Sequence, residues 1–143
     1  MRPLHSSDER RQQEFFYSHN AETLMLRYRH QPKQMSREKA HSLVNVDQRR
    51  DLALCLIERQ GPKQEIHAVG RYFFIDKENL AEVAFVVRET KRGLGMATVL
   101  LCQMMKIAQK GEWPKCWLMF AVIIRRCCTF SKITILSVSL LIR

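Results

Sequence analysis

The stretch that most constrains the fold is Ala81 to Lys110, AEVAFVVRETKRGLGMATVLLCQMMKIAQK. Its first eight residues are apolar at almost every position, so alternation is weak and a strand here needs cover on both faces, as a central strand does. Glu82 is the exception. The run breaks at Glu89-Thr90-Lys91-Arg92-Gly93-Leu94-Gly95, where two glycines permit a tight turn and let backbone N–H groups come close to a ligand. From Met96 onward Val99, Leu100, Met104, Ile107 and Ala108 recur at helical spacing, which predicts an amphipathic helix whose N-terminus faces the loop. Unpaired N–H groups and the helix dipole favour a phosphate at that end, and Lys91 and Arg92 add positive charge. A strand-to-helix turn also requires glycine on steric grounds alone, so the glycine pair by itself does not separate a phosphate cradle from an ordinary turn.

The rest of the chain supplies the partners of that strand. Arg2-Pro3-Leu4 reads as a first strand, and Ser6 or Ser7 ahead of Asp8-Glu9 as the N-cap of a helix reaching about Ser18. That helix is expected to bury Phe15 and Phe16 and to leave Arg10, Arg11 and Gln12 in water. A second helix, Glu22 to Arg29, carries Leu24, Met25 and Tyr28 and ends at Pro32; Tyr28 is a core residue or part of an acceptor groove. A third, short helix is capped by Ser36. Strands follow at Asp51 to Glu58 and Glu65 to Asp76, joined by Gly61-Pro62-Lys63, with Gly70 marking a bulge or bend. Asp76-Lys77-Glu78-Asn79 then turns the chain into the central strand.

A hydrophobic strand, a basic Gly-x-Gly loop and an amphipathic helix, preceded by two long antiparallel strands, resemble the acyl-CoA-binding core of the GNAT superfamily of N-acetyltransferases. Gly93 and Gly95 match the family's two small loop positions, while Thr90 stands where the family prefers Gln or Arg, and the loop is shorter than usual. The wording Arg2-Pro3-Leu4, Asp8-Glu9, Glu14-Phe15-Phe16, Leu26-Arg27-Tyr28 and Ala81-Glu82-Val83-Ala84 is similar to the bacterial protein-lysine acetyltransferase branch. The resemblance implies an α+β fold, with a mixed, mostly antiparallel sheet flanked by helices, over residues 1–111. It implies acetyl-CoA as co-substrate, its pyrophosphate held by backbone groups of Lys91, Arg92, Gly93, Leu94, Gly95, Met96 and Ala97. The pantetheine lies along Phe85, Val86 and Val87, as an added strand would. Lys91, Arg92 or Arg88 would supply the phosphate contact that Thr90 does not. Such domains are often fused to CoA-handling enzymes, and Met1 abutting the first strand fits a fragment of a longer protein.

Residues 112–143 depart from this pattern. After Glu112 there is no acid, and three cysteines and two tryptophans crowd together where the family continues with another strand and helix. Reading the third base of each codon with the first two of the next gives forced outcomes. Trp113-Pro114 becomes Ala, Cys116-Trp117 Leu, Met119-Phe120 Val, and Cys127-Cys128 Leu. Permitted codons elsewhere yield an alternating strand and an Asn-Asn-x-Pro-Met-Leu helix start, which resembles the fifth strand and following helix of GNAT domains. Loss of one base near Lys110-Gly111 accounts for such a frameshifted tail. The alternative is that Trp117 to Ile124 and Ile133 to Ile142 are genuine hydrophobic strands or a membrane-associated hairpin, each too short to span a bilayer as a helix.

The proposed chemistry is transfer of an acetyl group to a primary amine, which must lose its proton first. Glu82 is the candidate base, since burial in an apolar strand raises a carboxyl pKa; the competing reading pairs it structurally with Arg88 or Arg71. Relatives often use a tyrosine after the fifth strand as general acid, and the chain has none after Tyr72. The acceptor is a protein lysine or a small amine. Two other classes remain: a catalytically silent CoA-binding or interaction domain, and a nucleic-acid module using the net charge of +10. The basic residues are dispersed without aromatic interleaving, which speaks against nucleic acid. Five cysteines without paired spacing exclude a disulfide framework and a zinc site, no metal is expected, and Cys55 and Cys102 read as buried packing residues. No secretory signal and no transmembrane segment is legible, so the expected compartment is cytoplasmic.

Overall fold

The computed structural model describes residues 1–28, 34–48, 50–75, 80–110 and 135–141. In chain order the elements are β1 (Arg2–Pro3), a 3-10 turn (Ser6–Asp8), α1 (Glu9–Tyr17), α2 (Ala21–Tyr28), α3 (Arg37–Val44), β2 (Leu52–Gln60), β3 (Lys63–Ile75), β4 (Leu80–Val87), a second 3-10 turn (Glu89–Lys91), α4 (Met96–Lys110) and β5 (Ile135–Leu141). The sheet order is β1-β2-β3-β4-β5, and each of these pairings is antiparallel. The expected α+β architecture and order of elements are borne out. The expected turn at 76–79, the helix end at Pro32, the tail strand at 117–124 and the side chain of Tyr28 lie outside the described residues.

Because β4 is apolar on both faces it is covered on both. Val83, Phe85 and Val87 pack with Leu52, Leu54, Ala68, Tyr72 and the α4 residues Ala97, Leu100, Leu101 and Met104. Val86 packs on the other face with Val69, Ala53, Cys55, Phe15 and Val44, beneath α1 and α3. Burying one such Leu or Phe side chain stabilises by about 1.5–3 kcal/mol, so β4 is the element to which both helical layers are anchored.

Several local expectations are corrected. Neither Ser6 nor Ser7 caps α1: His5 caps the preceding turn, accepting from the Ser7 N–H, and Asp8 reaches back to the His5 N–H. Asp8 is fully buried and accepts from Arg2 at 2.6 and 2.7 Å and from Arg11 at 3.0 Å, fastening β1 to α1. Gln12 is buried rather than exposed. On α4 the inward stripe is Ala97, Leu100, Leu101 and Met104, so Val99 and Cys102 face water; helical phase, not apolar composition, decides which side each takes. The irregularity between β2 and β3 falls opposite Leu56/Ile57, leaving His67 as the extra residue, and Gly70 keeps regular register with Leu54 and Phe85. Gly70 is needed for another reason. A Cβ there would meet Phe85 Cε1 at 2.9 Å and Met104 Sδ at 3.0 Å, so its absence lets α4 seat on the sheet.

Candidate functional site

β4 leads through Arg88 and the turn Glu89–Lys91 into Arg92-Gly93-Leu94-Gly95 and then α4. Gly93 and Gly95 have φ of +76° and +74°, the left-handed region that other residues enter only at a cost of about 1–2 kcal/mol. A Cβ at either would touch nothing within 4 Å, so the glycines are required by conformation and the space beside them is open. Val99 N–H makes the bond to Gly95 C=O, which leaves the first N–H groups of α4 without acceptors inside the helix. Met96 and Ala97 turn their side chains into the core, so only their backbone can serve a ligand, whereas Leu94 is 66% exposed.

The three cations expected to reach a phosphate are each matched by a carboxylate. Lys91 Nζ lies 3.2 Å from Glu58 Oε2, which also meets His67 Nε2 at 2.8 Å. These contacts from Lys91 and His67 hold the Glu58 carboxyl below its ordinary value. Arg88 donates twice to Ile66 C=O and stands 3.9 Å from Glu65. Arg92 Nη2 donates to Thr23 Oγ1 at 2.6 Å and to Glu89 Oε1 at 3.3 Å.

Glu89 is the residue that the sequence reading missed. Its Oε1 accepts from Asn20 N–H at 3.0 Å and Thr23 Oγ1 at 2.8 Å, and its Oε2 lies 3.2 Å from His19 Nδ1. Burial pushes its pKa up, but bonds from Asn20 and Thr23 and the nearby His19 outweigh that and bring it to about 2. Asn20 also caps α2 through Thr23 N–H. The only sequence signal was a lone acid among the loop's bases, about seventy residues from its partners, and no periodicity reveals such a pairing.

Glu82 lies half-buried on β4, opposite Phe73 of β3 and Ser139 of β5. Arg71, which pairs in register with Ala84, is its diagonal neighbour on the same face. Arg71 lines a cavity of about 400 Å³ together with Lys39, Asn45, Asp47, Asp51 and Phe73. It also lines a second space, about one water in size, beneath Gln12, Phe15 and Arg27 and above Val69 and Ala84. Both lie on the Glu82 face. Five residues of extended strand, about 17 Å, separate Glu82 from Val87, so the carboxylate and the glycine loop occupy distinct stations along one strand.

The lateral edge of β4 is covered. Arg88 N–H bonds His67 C=O, toward β3, so by strand alternation the N–H and C=O groups of Phe85 and Val87 point to the opposite edge. There β5 pairs from Leu80↔Leu141 to Val86↔Ile135, taking in Phe85 opposite Leu136. A strand returning directly through α4 would run parallel to β4; β5 runs antiparallel. Among the described residues no group of three or more His, Cys, Asp and Glu side chains is arranged to hold a metal ion, and no helix is long and apolar enough to cross a membrane.

No protein-family model matches the chain. A curated acetyltransferase of Pseudomonas aeruginosa is 24% identical over 112 residues, covering 78% of this chain, and the match spans 60% of that relative's length. The crystal structure of the GNAT domain of S. lividans PAT superposes with a TM-score of 0.68 at 20% identity, covering 97% of this chain and 88% of that one. The fold expected from the sequence is borne out: it is that of a GNAT domain.

Proposed function

Starting from a GNAT fold, we propose that the chain is built to transfer an acetyl group from acetyl-CoA to a primary amine, a protein lysine or a small amine. The observation that carries this reading is the pair of positive-φ glycines opening the N-terminus of α4 at the end of β4. Backbone N–H groups from Gly93 to Ala97 and the helix dipole suit a pyrophosphate, whereas the Lys91 and Arg92 N–H groups are already taken by the Arg88 and Glu89 carbonyls. The matching of Lys91, Arg92 and Arg88 by carboxylates supports the view that backbone donors, not side-chain charge, dominate there. Bound acetyl-CoA supplies the thioester. The groups of Phe85 and Val87 that point to the β5 edge suit an extended pantetheine, and an N–H there would polarise the thioester carbonyl. Glu82 takes the proton of the incoming ammonium, so that the neutral amine forms the C–N bond as the C–S bond breaks, and CoA leaves as the thiolate, which is protonated by the second proton shed from the new amide nitrogen.

The pairing of β5 with Phe85 supports a second element of the proposal: the chain as it stands turns over weakly or not at all. We attribute this to a tail, residues 112–143, read in a shifted frame. Codons over 115–135 that forbid the shifted string would end that attribution. The same pairing favours the catalytically silent CoA-binding reading as the second possibility.

Calorimetric titration with acetyl-CoA tests the core claim. Binding that is lost on Gly95→Val supports it; absence of binding, both here and in a version carrying the shifted-frame tail, overturns it. Turnover of a lysine peptide or polyamine by the repaired version then separates an enzyme from a silent domain.

A further inference from the structure

A glycine loop that presents its amides to a ligand needs something to hold it, because its two glycines, at φ near +75°, bring no side chains with which to anchor it. The loop is fastened from outside, through Arg92, the residue directly before Gly93. Arg92 Nη2 is fixed by Thr23 Oγ1 and Glu89 Oε1, and Glu89 in turn holds the Asn20 N–H, the Thr23 hydroxyl and His19. His19 lies two residues beyond the end of α1, its side chain 3% exposed and its ring edge-on to Phe15 at 4.5 Å. Apart from the Arg92–Glu89 contact, which lies within the loop, the bonds of this group tie the loop to the turn between α1 and α2 and to the first turn of α2. The same two helices supply Gln12, Phe15 and Arg27, which roof the small space over Val69 and Ala84 on the Glu82 face.

We propose that Glu89 is a positioning residue that makes the glycine loop and the α1–α2 turn a single body, so that filling the loop orders the roof over the acceptor face. The proposal rests on the acetyltransferase reading for the identity of the ligand. Ordering paid for by the first ligand is not paid again by the second, so acetyl-CoA and amine bind cooperatively without a change of backbone path.

The test is amide hydrogen exchange over residues 19–24 and 89–96, with and without saturating acetyl-CoA, alongside calorimetry. In the unaltered chain acetyl-CoA slows exchange over 19–24 at least fivefold; Glu89→Ala abolishes that slowing, and Glu89→Gln, which keeps the length and an acceptor oxygen, restores part of it. Binding that leaves 19–24 unchanged, or full slowing in Glu89→Ala, overturns the inference while the functional reading stands. If acetyl-CoA binds only the version carrying the shifted-frame tail, the same comparison is read there; if it binds neither, the functional reading fails and the ligand-free protein decides. Thr23→Val, a change in α2, then speeds exchange over 89–96 at least threefold with the β2 amides unaltered, and no change there overturns the inference. Should Thr23→Val disturb β2 as well, Glu89→Gln is read in the same way over 19–24.

Discussion

The end of β4 and its lateral edge have been treated in opposite ways. At the end, two left-handed glycines, an open helix N-terminus and the Glu89 contacts form a loop with defined geometry and free space beside it. At the edge, β5 covers the backbone from Leu80 to Val86. A ligand recognised through backbone groups needs both, a donor cluster for its charged head and a strand edge for its extended arm. The chain keeps the first and spends the second on its own tail.

The comparison breaks most visibly at the loop. Gly95→Val forces a β-branched residue to φ near +74°, and the expected outcome is a loss of acetyl-CoA affinity by roughly a hundredfold, about 2.7 kcal/mol, with the edge unaffected. An unchanged calorimetric constant would mean that the loop plays no part in binding. Acid titration comes next. The Glu89 carboxyl is depressed to about 2, so its contribution to stability is present above the ordinary value near 4.5 and is lost as pH falls from there toward 2. Asp8 acts with the same sign: burial pushes it up, but Arg2, the His5 N–H and Arg11 hold it below its usual value. His19 is lowered chiefly by burial, so its share is present above about 6.5 and declines as pH drops below that. Chemical denaturation in steps from pH 7 to 2.5 should therefore show a loss beginning below 6.5 and steepening below 4.5, on the order of 2 kcal/mol for Glu89. Glu89→Gln should remove the steepest part.

At the edge, Val138→Pro removes an N–H opposite Val83, and proline is tolerated in an edge strand only where its missing donor would face away from the neighbouring strand. Acetyl-CoA affinity should rise about tenfold, 1.4 kcal/mol; equal affinity would show that β5 does not compete. The smallest effect sharpens the loop side. Glu58→Gln releases Lys91 from its carboxylate, and a two- to threefold gain in affinity, steeper in salt than the parent's, is expected from calorimetry at two ionic strengths.

Much of the scaffold was legible because it follows from periodicity: an apolar strand bounded by a glycine loop, an amphipathic helix, two long strands and a Ser36 cap. What escaped had other causes. Val99 and Cys102 were misjudged because a helix's inward phase is fixed by its partner sheet, not by which residues are apolar. Gln12 and His67 are polar residues in buried positions set by tertiary neighbours and by a strand irregularity. The Glu89 group joins residues 66 to 70 positions apart, and the sign of charge around the loop was misleading because Lys91 and Arg88 have distant acids, Glu58 and Glu65, while Arg92 shares Glu89 with that group. The direction of β5 was unreadable, since nothing in ILSVSLL distinguishes a parallel from an antiparallel neighbour.

The bare Cα of Gly70 sets a height. Because Phe85 and Met104 close over it, that one position acts as the shim between sheet and helix. Met104 stands eight residues into α4 from Met96, about 12 Å along the axis, so any thickening at Gly70 works on a lever whose far tip is the end proposed to face the phosphate. The aim of that tip, and with it the proposed grip on an anion, is thus adjustable from the middle of β3, at a residue packed beneath Phe85 and Met104.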